Sequence, residues 1–291
     1  MYRNKYRIII PFLAPSLLLY LTFVIYPYMR AMYISLTRWK GLSKPPEFIG
    51  LENFSRMLDD ANFWNALGNN AVYIVVLPLF TLGIALFFGF VLTQGVPLGK
   101  FYRISYFFPQ VMSVVAVGVL WSFVYHPIIG ILNSMLKAIG ISNPPVWLGN
   151  PTTVLGAVSA VAIWQAIGFF MVLFIASMES VPDHFYEAAR LDGANQWQIF
   201  WKITIPLIWD TLQTAVIFIM ISATNMFAIT QTMTLGGPSR SSEVLSTYLY
   251  NEAFLNSKFG YGTAIAVTLF LITLFISVVL TRLMRRASLE Y

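Results

Sequence analysis

The sequence contains no cysteine, which excludes disulfides, thiolate metal ligands and cysteine nucleophiles. It has only two histidines, His126 and His184, far apart and close to the ends of apolar runs, so no histidine metal cluster is expected and no metal or cofactor site is assigned. Charge is the third scarcity. Asp, Glu, Lys and Arg make up 10% of the 291 residues, against about a quarter in a soluble domain. So few charges do not coat a globular surface of this size, and with 58% of residues hydrophobic the missing coat is lipid. The net charge of +6 does not point to nucleic acid, because the basic residues are scattered among apolar runs and form no stripe interleaved with aromatics.

What is present is a set of six apolar stretches of the 17–25-residue length that a bilayer core requires, on the order of 30 Å of helix. They are Ile8–Met29, Ala71–Leu92, Ile104–Tyr125, Val154–Met178, Thr211–Met233 and Tyr261–Leu280. The first begins like a signal peptide, with Arg3, Lys5 and Arg7. It runs past the usual apolar core of about 7–15 residues and lacks a small-x-small cleavage site, so it is expected to stay as the first helix. The spans predict an all-α integral membrane protein of about six transmembrane helices. Without internal repeats or low-complexity segments, residues 1–291 are expected to form a single transmembrane domain.

Orientation follows from the basic residues of the connecting segments. With the N terminus inside, Lys100, Arg103, Arg190, Lys202, Arg282, Arg285 and Arg286 join the N-terminal cluster on the cytoplasmic side. Arg30, Arg38, Lys40, Lys44, Arg56, Lys137, Arg240 and Lys258 fall outside. The majority is narrow, and the two basic tails decide it: both termini are expected in the cytoplasm of a multi-pass cell-membrane protein. The outer segments, 35–70, 126–153 and 234–260, are rich in turn residues such as Lys44-Pro45-Pro46 and Gly236-Gly237-Pro238. Trp39, Trp64, Trp121 and Trp147 lie near span edges, either as interfacial anchors or as gap fillers between loops.

No Asp, Glu, Lys, Arg or His lies within the interior of these six stretches. A charge at mid-membrane costs about 2.5–3.5 kcal/mol on insertion scales, and it is found where protons or ions must bind. Its absence argues against proton coupling and disfavours sodium coupling; an ion-coupled or facilitative transporter of a small polar solute remains the alternative reading. Intramembrane hydrolysis lacks its residues too, with no Ser-His, paired Asp or His-Glu motif. The nearest approach to a phosphate loop, Gly95-Val96-Pro97-Leu98-Gly99-Lys100-Phe101, has one residue too few between its glycines and Phe101 where a hydroxyl is needed. The chain is not expected to be an enzyme. Its interior is nonetheless partly polar, with Trp164, Gln165, Thr214, Ser222, Thr224, Asn225, Thr230 and Gln231 in the fourth and fifth stretches. Amides and aromatic faces suit a neutral polyhydroxylated ligand, and they serve equally as hydrogen-bonded glue between helices.

The loop between the fourth and fifth stretches carries a specific pattern. From Pro182, Asp183 is expected to cap a short helix in which Tyr186, Ala189 and Arg190 share a face, and Gly193 supplies a left-handed stop. The chain then resumes over Gln196–Ile205, with Pro206 bending it toward the next span. Glu187-Ala188-Ala189, Asp192-Gly193-Ala194, Phe200, Ile203 and Ile205-Pro206-Leu207 resemble the EAA loop of binding-protein-dependent ABC importers, in the spelling of the carbohydrate branch (maltose and glycerol-phosphate type). Leu235-Gly236-Gly237-Pro238, Tyr248-Leu249-Tyr250, Ala253-Phe254 and Gly260-Tyr261-Gly262 agree, as do Pro11, Pro15, Tyr26-Pro27 and Ser35-Leu36-Thr37. The large outer domain and additional N-terminal helices of the maltose-type permease are not expected here.

The resemblance implies a type I ABC importer permease fold. It also implies partners: a second, usually different, permease, two cytoplasmic ATPase subunits that hydrolyse the ATP, and an extracytoplasmic sugar-binding protein. The segment at about 179–208 would be the coupling loop, with Glu187, Ala188, Ala189, Asp192 and Gly193 contacting the ATPase. Carried over on Trp164 and Gly236-Gly237-Pro238, the family's substrate positions fall on Ala162, Gln165, Ala166, Phe169, Thr224 and Asn225. Asn225 matches an asparagine there. Gln165 and Thr224 replace apolar or aromatic residues and Ala162 replaces an amide, so the sugar need not be maltose.

Overall fold

Among the described residues of the computed structural model, four helices are long and apolar enough to cross a bilayer: Ile9–Ser35, Ala61–Thr93, Val154–Glu179 and Phe259–Met284. Two bent pairs complete the six. The described residues are 5–41 and 45–285, with side chains from Ile9 onward. Arg3, Lys44 and Arg286, and the side chains of Lys5 and Arg7, lie outside the described part.

The chain falls into two compact units. The first comprises Met1–Phe63 and Tyr248–Leu271. Its opening helices α1 (Lys5–Tyr20) and α2 (Tyr26–Ser35) are joined through a π-helical turn at Leu21–Ile25. None of the most apolar 18-residue window of this span is buried by the rest of the chain, so lipid or a partner must cover it. A small hairpin follows, β1 (Thr37–Arg38) against β2 (Glu47–Phe48), with Thr37 opposite Phe48, and then α3 (Glu52–Leu58). The turn-rich sequence of this region hid both. Asn53 Nδ2 donates to the carbonyls of Ser35 and Thr37 at 2.9 Å each, which fixes α3 on the end of α2. Gly260 packs directly on the Thr37 carbonyl, where any Cβ would collide.

Asp60 ties this unit together. Its carboxylate accepts hydrogen bonds from the phenols of Tyr248 and Tyr261 and from the Asn62 N–H. The Arg56 guanidinium stacks 4.6 Å from the Tyr261 ring centre. Partial burial pushes the Asp60 carboxyl up, but the two phenols and the N–H groups of Asn62 and Phe63 outweigh it and hold the group below its ordinary value. The Tyr248 phenol moves the other way, raised by burial and by its carboxylate neighbour.

The second unit comprises Trp64–Thr247 and Ile272–Tyr291. It contains most of α4 (Ala61–Thr93), then α5 (Gly99–Val111), α6 (Val114–Val124), α7 (Ile131–Ala138) and α8 (Val154–Glu179). After α8 come α9 (Asp183–Leu191) and α10 (Gln196–Ile199), followed by a π-helical turn at Phe200–Thr204 and α11 (Ile205–Leu207). The chain continues through α12 (Trp209–Thr224) and α13 (Phe227–Met233) to α14 (Leu245–Tyr250), and closes with α15 (Phe259–Met284), which both units share. Small residues set the helix crossings, as expected where lipid removes the hydrophobic drive between helices. Gly168 on α8 lies against the Tyr106 carbonyl and Phe107 Cα of α5, and Gly118 on α6 leaves room for the Thr232 side chain of α13. Tyr73, Phe170, Met171, Phe174 and Ile208 fill the core. Trp121 and Trp147 pack against that core as gap fillers.

Two expected spans are corrected. The stretch 104–125 is not one helix, because α5 and α6 meet at Met112–Ser113 with a bend of 101°. Pro109 lies one turn before that bend. The stretch 211–233 begins earlier, at Trp209, and breaks at Asn225, whose φ of −111° and ψ of 61° leave the helix. The freed Thr224 carbonyl accepts from Asn70 Nδ2 at 3.1 Å instead. A further bend of 76° separates Gln196–Leu207 from α12, next to Pro206. The fourth span stands as expected, and the second starts ten residues earlier, at Ala61.

Candidate functional site

A cavity of about 260 Å³ lies where the two broken spans face α8. Gln165, Phe169 and Asn225 line it together, with Ala162 and Ala166. Thr224 does not. It is buried, its hydroxyl donates to the Ile221 carbonyl at 2.7 Å and accepts from Thr273 at 3.1 Å. Gln165 Nε2 donates to the carbonyls of Met112 at 3.3 Å and Pro109 at 3.5 Å, both at the α5–α6 break. Its Oε1 is the atom left to accept from a ligand. The Asn225 side chain is exposed at the α12–α13 break and makes no hydrogen bond among the described residues. The Phe169 ring stands 5.7 Å from that of Phe218, giving the cavity an aromatic wall.

No ionisable residue lines this cavity. Two more polar side chains do, Gln110 and Ser222. Gln110 escaped the sequence reading because it sits in an apolar run, and only the break after α5 turns it toward α8. Asn69 and Asn70 were missed for a related reason. From the start of α4, Asn69 donates to the Glu243 carbonyl at 2.8 Å, and Asn70 accepts from the Leu245 N–H at 2.8 Å. The 240–245 segment and the α12 break are thus held to one helix.

The 179–208 segment forms the helix-and-stop that its sequence predicts, with one correction. Asp183 is the first residue of α9 and not its cap; Pro182 occupies the cap and no side chain closes it. Proline has no side-chain acceptor, and the Phe185 N–H turns back to the Pro182 carbonyl at 3.2 Å. The stop at Gly193, φ +79°, is a Schellman motif: the Ala194 N–H reaches the Ala189 carbonyl at 2.9 Å and the Gly193 N–H reaches Arg190 at 3.1 Å. Asn195 then caps α10 in a reciprocal box with Gln198.

Glu187 and Ala188 are exposed, Ala189 is buried, and Asp192 and Gly193 are exposed. Ala188, Ala189, Asp192 and Gly193 share an open groove with Gln198 and Lys202. Glu187 points elsewhere, into a polar cavity with Asp183 and Arg190. The predicted contact residues therefore occupy two faces of α9. Leu191, unnoticed in the sequence, is 89% exposed at the end of the helix, an apolar side chain with nothing of its own chain to cover it. Among the described residues no three acidic or histidine side chains gather closely enough to share a metal ion.

Residues 69–289 match the family described as binding-protein-dependent transport system inner membrane component. The chain belongs to that family. This permease is 37% identical over 283 residues to the diacetylchitobiose uptake system permease protein of Streptomyces coelicolor, covering 93% of this chain and 80% of the relative. It is 37% identical to a probable ABC transporter permease protein of Bacillus subtilis, covering 91% of this chain and 92% of that one. A crystal structure of a bacterial alginate ABC transporter, in complex with an alginate pentasaccharide-bound periplasmic protein, contains a chain that superposes with a TM-score of 0.86. The match has 20% identity and covers 98% of the permease and 96% of that chain. The likeness gives the fold: the permease has the type I ABC importer architecture.

Proposed function

We propose that the permease forms half of the membrane channel of an ATP-driven importer and passes a neutral sugar or oligosaccharide delivered by an extracytoplasmic binding protein. The observation that carries this reading is the uncharged cavity at the two helix breaks. Gln110, Gln165 and Asn225 offer hydrogen-bonding partners for hydroxyls, and Phe169 offers a ring face. The name of the Streptomyces relative supports the same ligand class. A second, different permease completes the pathway, and two cytoplasmic ATPase subunits bind α9 through Ala188, Ala189, Asp192 and Gly193, with Glu187 beside them. Both termini and the 179–208 loop face the cytoplasm. Closure of the ATPases pushes α9 as a rigid body, and the bundle follows.

The test is uptake of labelled diacetylchitobiose or maltose by the assembled importer in proteoliposomes. Asn225→Leu removes an amide that meets sugar hydroxyls, and uptake is expected to fall about tenfold, the equivalent of one lost hydrogen bond at about 1.4 kcal/mol. Assembly with the ATPases is expected to be unchanged. Unaltered uptake kinetics would return Asn225 to the role of a helix-break residue alone.

A further inference from the structure

A second cavity, of about 350 Å³, lies behind α9, enclosed by that helix, the 196–204 segment and the adjoining ends of α4 and α8. None of its lining residues lines the transport cavity, although Glu187 on its wall also stands beside the proposed ATPase contact. Thr204 is 1% exposed, and its hydroxyl has no hydrogen-bond partner among the described residues. A buried hydroxyl left unpaired is costly and marks a place where an occupant is wanted. Around it, Asp183, Glu187 and Arg190 form no ion pair or hydrogen bond through their side chains among the described residues. Glu179, by contrast, is held by Arg103 at 2.7 Å.

The mixture of groups selects the ligand. Its carboxylates do not gather as a metal site would require. Donors and acceptors are both present instead: the carboxylates of Asp183 and Glu187 accept, Arg190 donates, and the amides of Gln94 and Gln196 do both. Hydroxyl groups, each able to donate and accept, satisfy such a lining all round, and the rings of Phe90 and Tyr186 face the same space. The volume is at the small end of the range of ligand pockets, about 300–1,000 Å³. We propose that this cavity binds a neutral mono- or disaccharide from the cytoplasmic side, a site separate from the transport cavity; the assignment of side and ligand class rests on the function proposed above. An occupant bridges α9 to α4 and α8.

The absence of cysteine from the sequence allows a clean test on the purified chain. Gln94→Cys supplies a single thiol at the cavity wall, and its rate of maleimide labelling is measured while maltose is titrated in. Maltose is expected to slow labelling by about tenfold, and Thr204→Val is expected to raise the maltose needed for half-protection by about tenfold, the factor for one hydrogen bond. Gln196→Leu, on an exposed side chain, is expected to weaken protection likewise and guards against misfolding of the Thr204 variant. Protection is expected to survive Asn225→Leu, and no ATPase is needed, so the result is independent of whether the importer reading holds. The proposal is overturned by labelling indifferent to maltose, by protection from spermidine in place of maltose, by protection undiminished in both cavity variants, or by protection lost in Asn225→Leu.

Discussion

At the scale of single residues, the permease depends on a few atoms whose partners are remote in sequence. Asp60 meets Tyr248 and Tyr261 across 188 and 201 positions. The sequence displays both tyrosines in recognisable blocks, yet nothing in it names the carboxylate they serve. Because Asp60 ionises more readily in the folded chain, its contribution is fully present above the unfolded value of about 3.9 and is lost as pH falls through the lower folded value. The melting temperature of the wild type is therefore expected to exceed that of Asp60→Asn at neutral pH, with the gap closing in strong acid. An equal gap at all pH values would remove the charge from the account. Gly168 is a second such residue. Alanine there drives a Cβ into the Tyr106 carbonyl, and overpacking of this kind costs about 1–3 kcal/mol. Gly156→Ala on the same helix meets nothing within 4 Å and serves as the comparison: thermal unfolding in detergent is expected to separate the two variants.

At the scale of elements, the sequence conveys apolar length well and conveys breaks badly. The fourth span runs from Val154 as expected, because a continuous apolar run and a continuous helix coincide there. The third and fifth do not coincide. Hydropathy is blind to the turn at Met112–Ser113, which lies within a mostly apolar run, and to the departure of Asn225, which is compensated by a side chain on α4. The candidate site sits on those breaks, so Gln165, Phe169 and Asn225 were legible as residue types while Gln110 and the exclusion of Thr224 were not. Asn70→Leu is expected to loosen the fifth-span break by removing a donor to Thr224 and an acceptor for Leu245, at a cost of about 1–3 kcal/mol in stability. The same measurement of unfolding checks it. The α9 segment was more transparent, since its stop is written in a glycine; only its start was misassigned, Asp183 lying inside the helix. Glu187→Lys is expected to leave insertion and purification intact while uptake falls by about tenfold or more, through loss of a charge-assisted contact. Normal uptake in that variant would contradict the coupling role.

At the scale of the whole molecule, scarcity of charge was the most informative feature. It placed the chain in the bilayer, and the family match over residues 69–289 bears this out. It also left the interior of the bundle without a group that carries protons, and the cavity between the broken spans has no ionisable lining. On the function proposed above, such a transporter takes its driving force from outside the bilayer. The decisive measurement is accumulation of labelled saccharide in proteoliposomes holding the permease with its partner permease, with and without the ATPase pair and ATP. The account predicts uphill accumulation only when ATPase, ATP and binding protein are all present. Accumulation that persists with the ATPase omitted, sustained by an ion gradient, would contradict it.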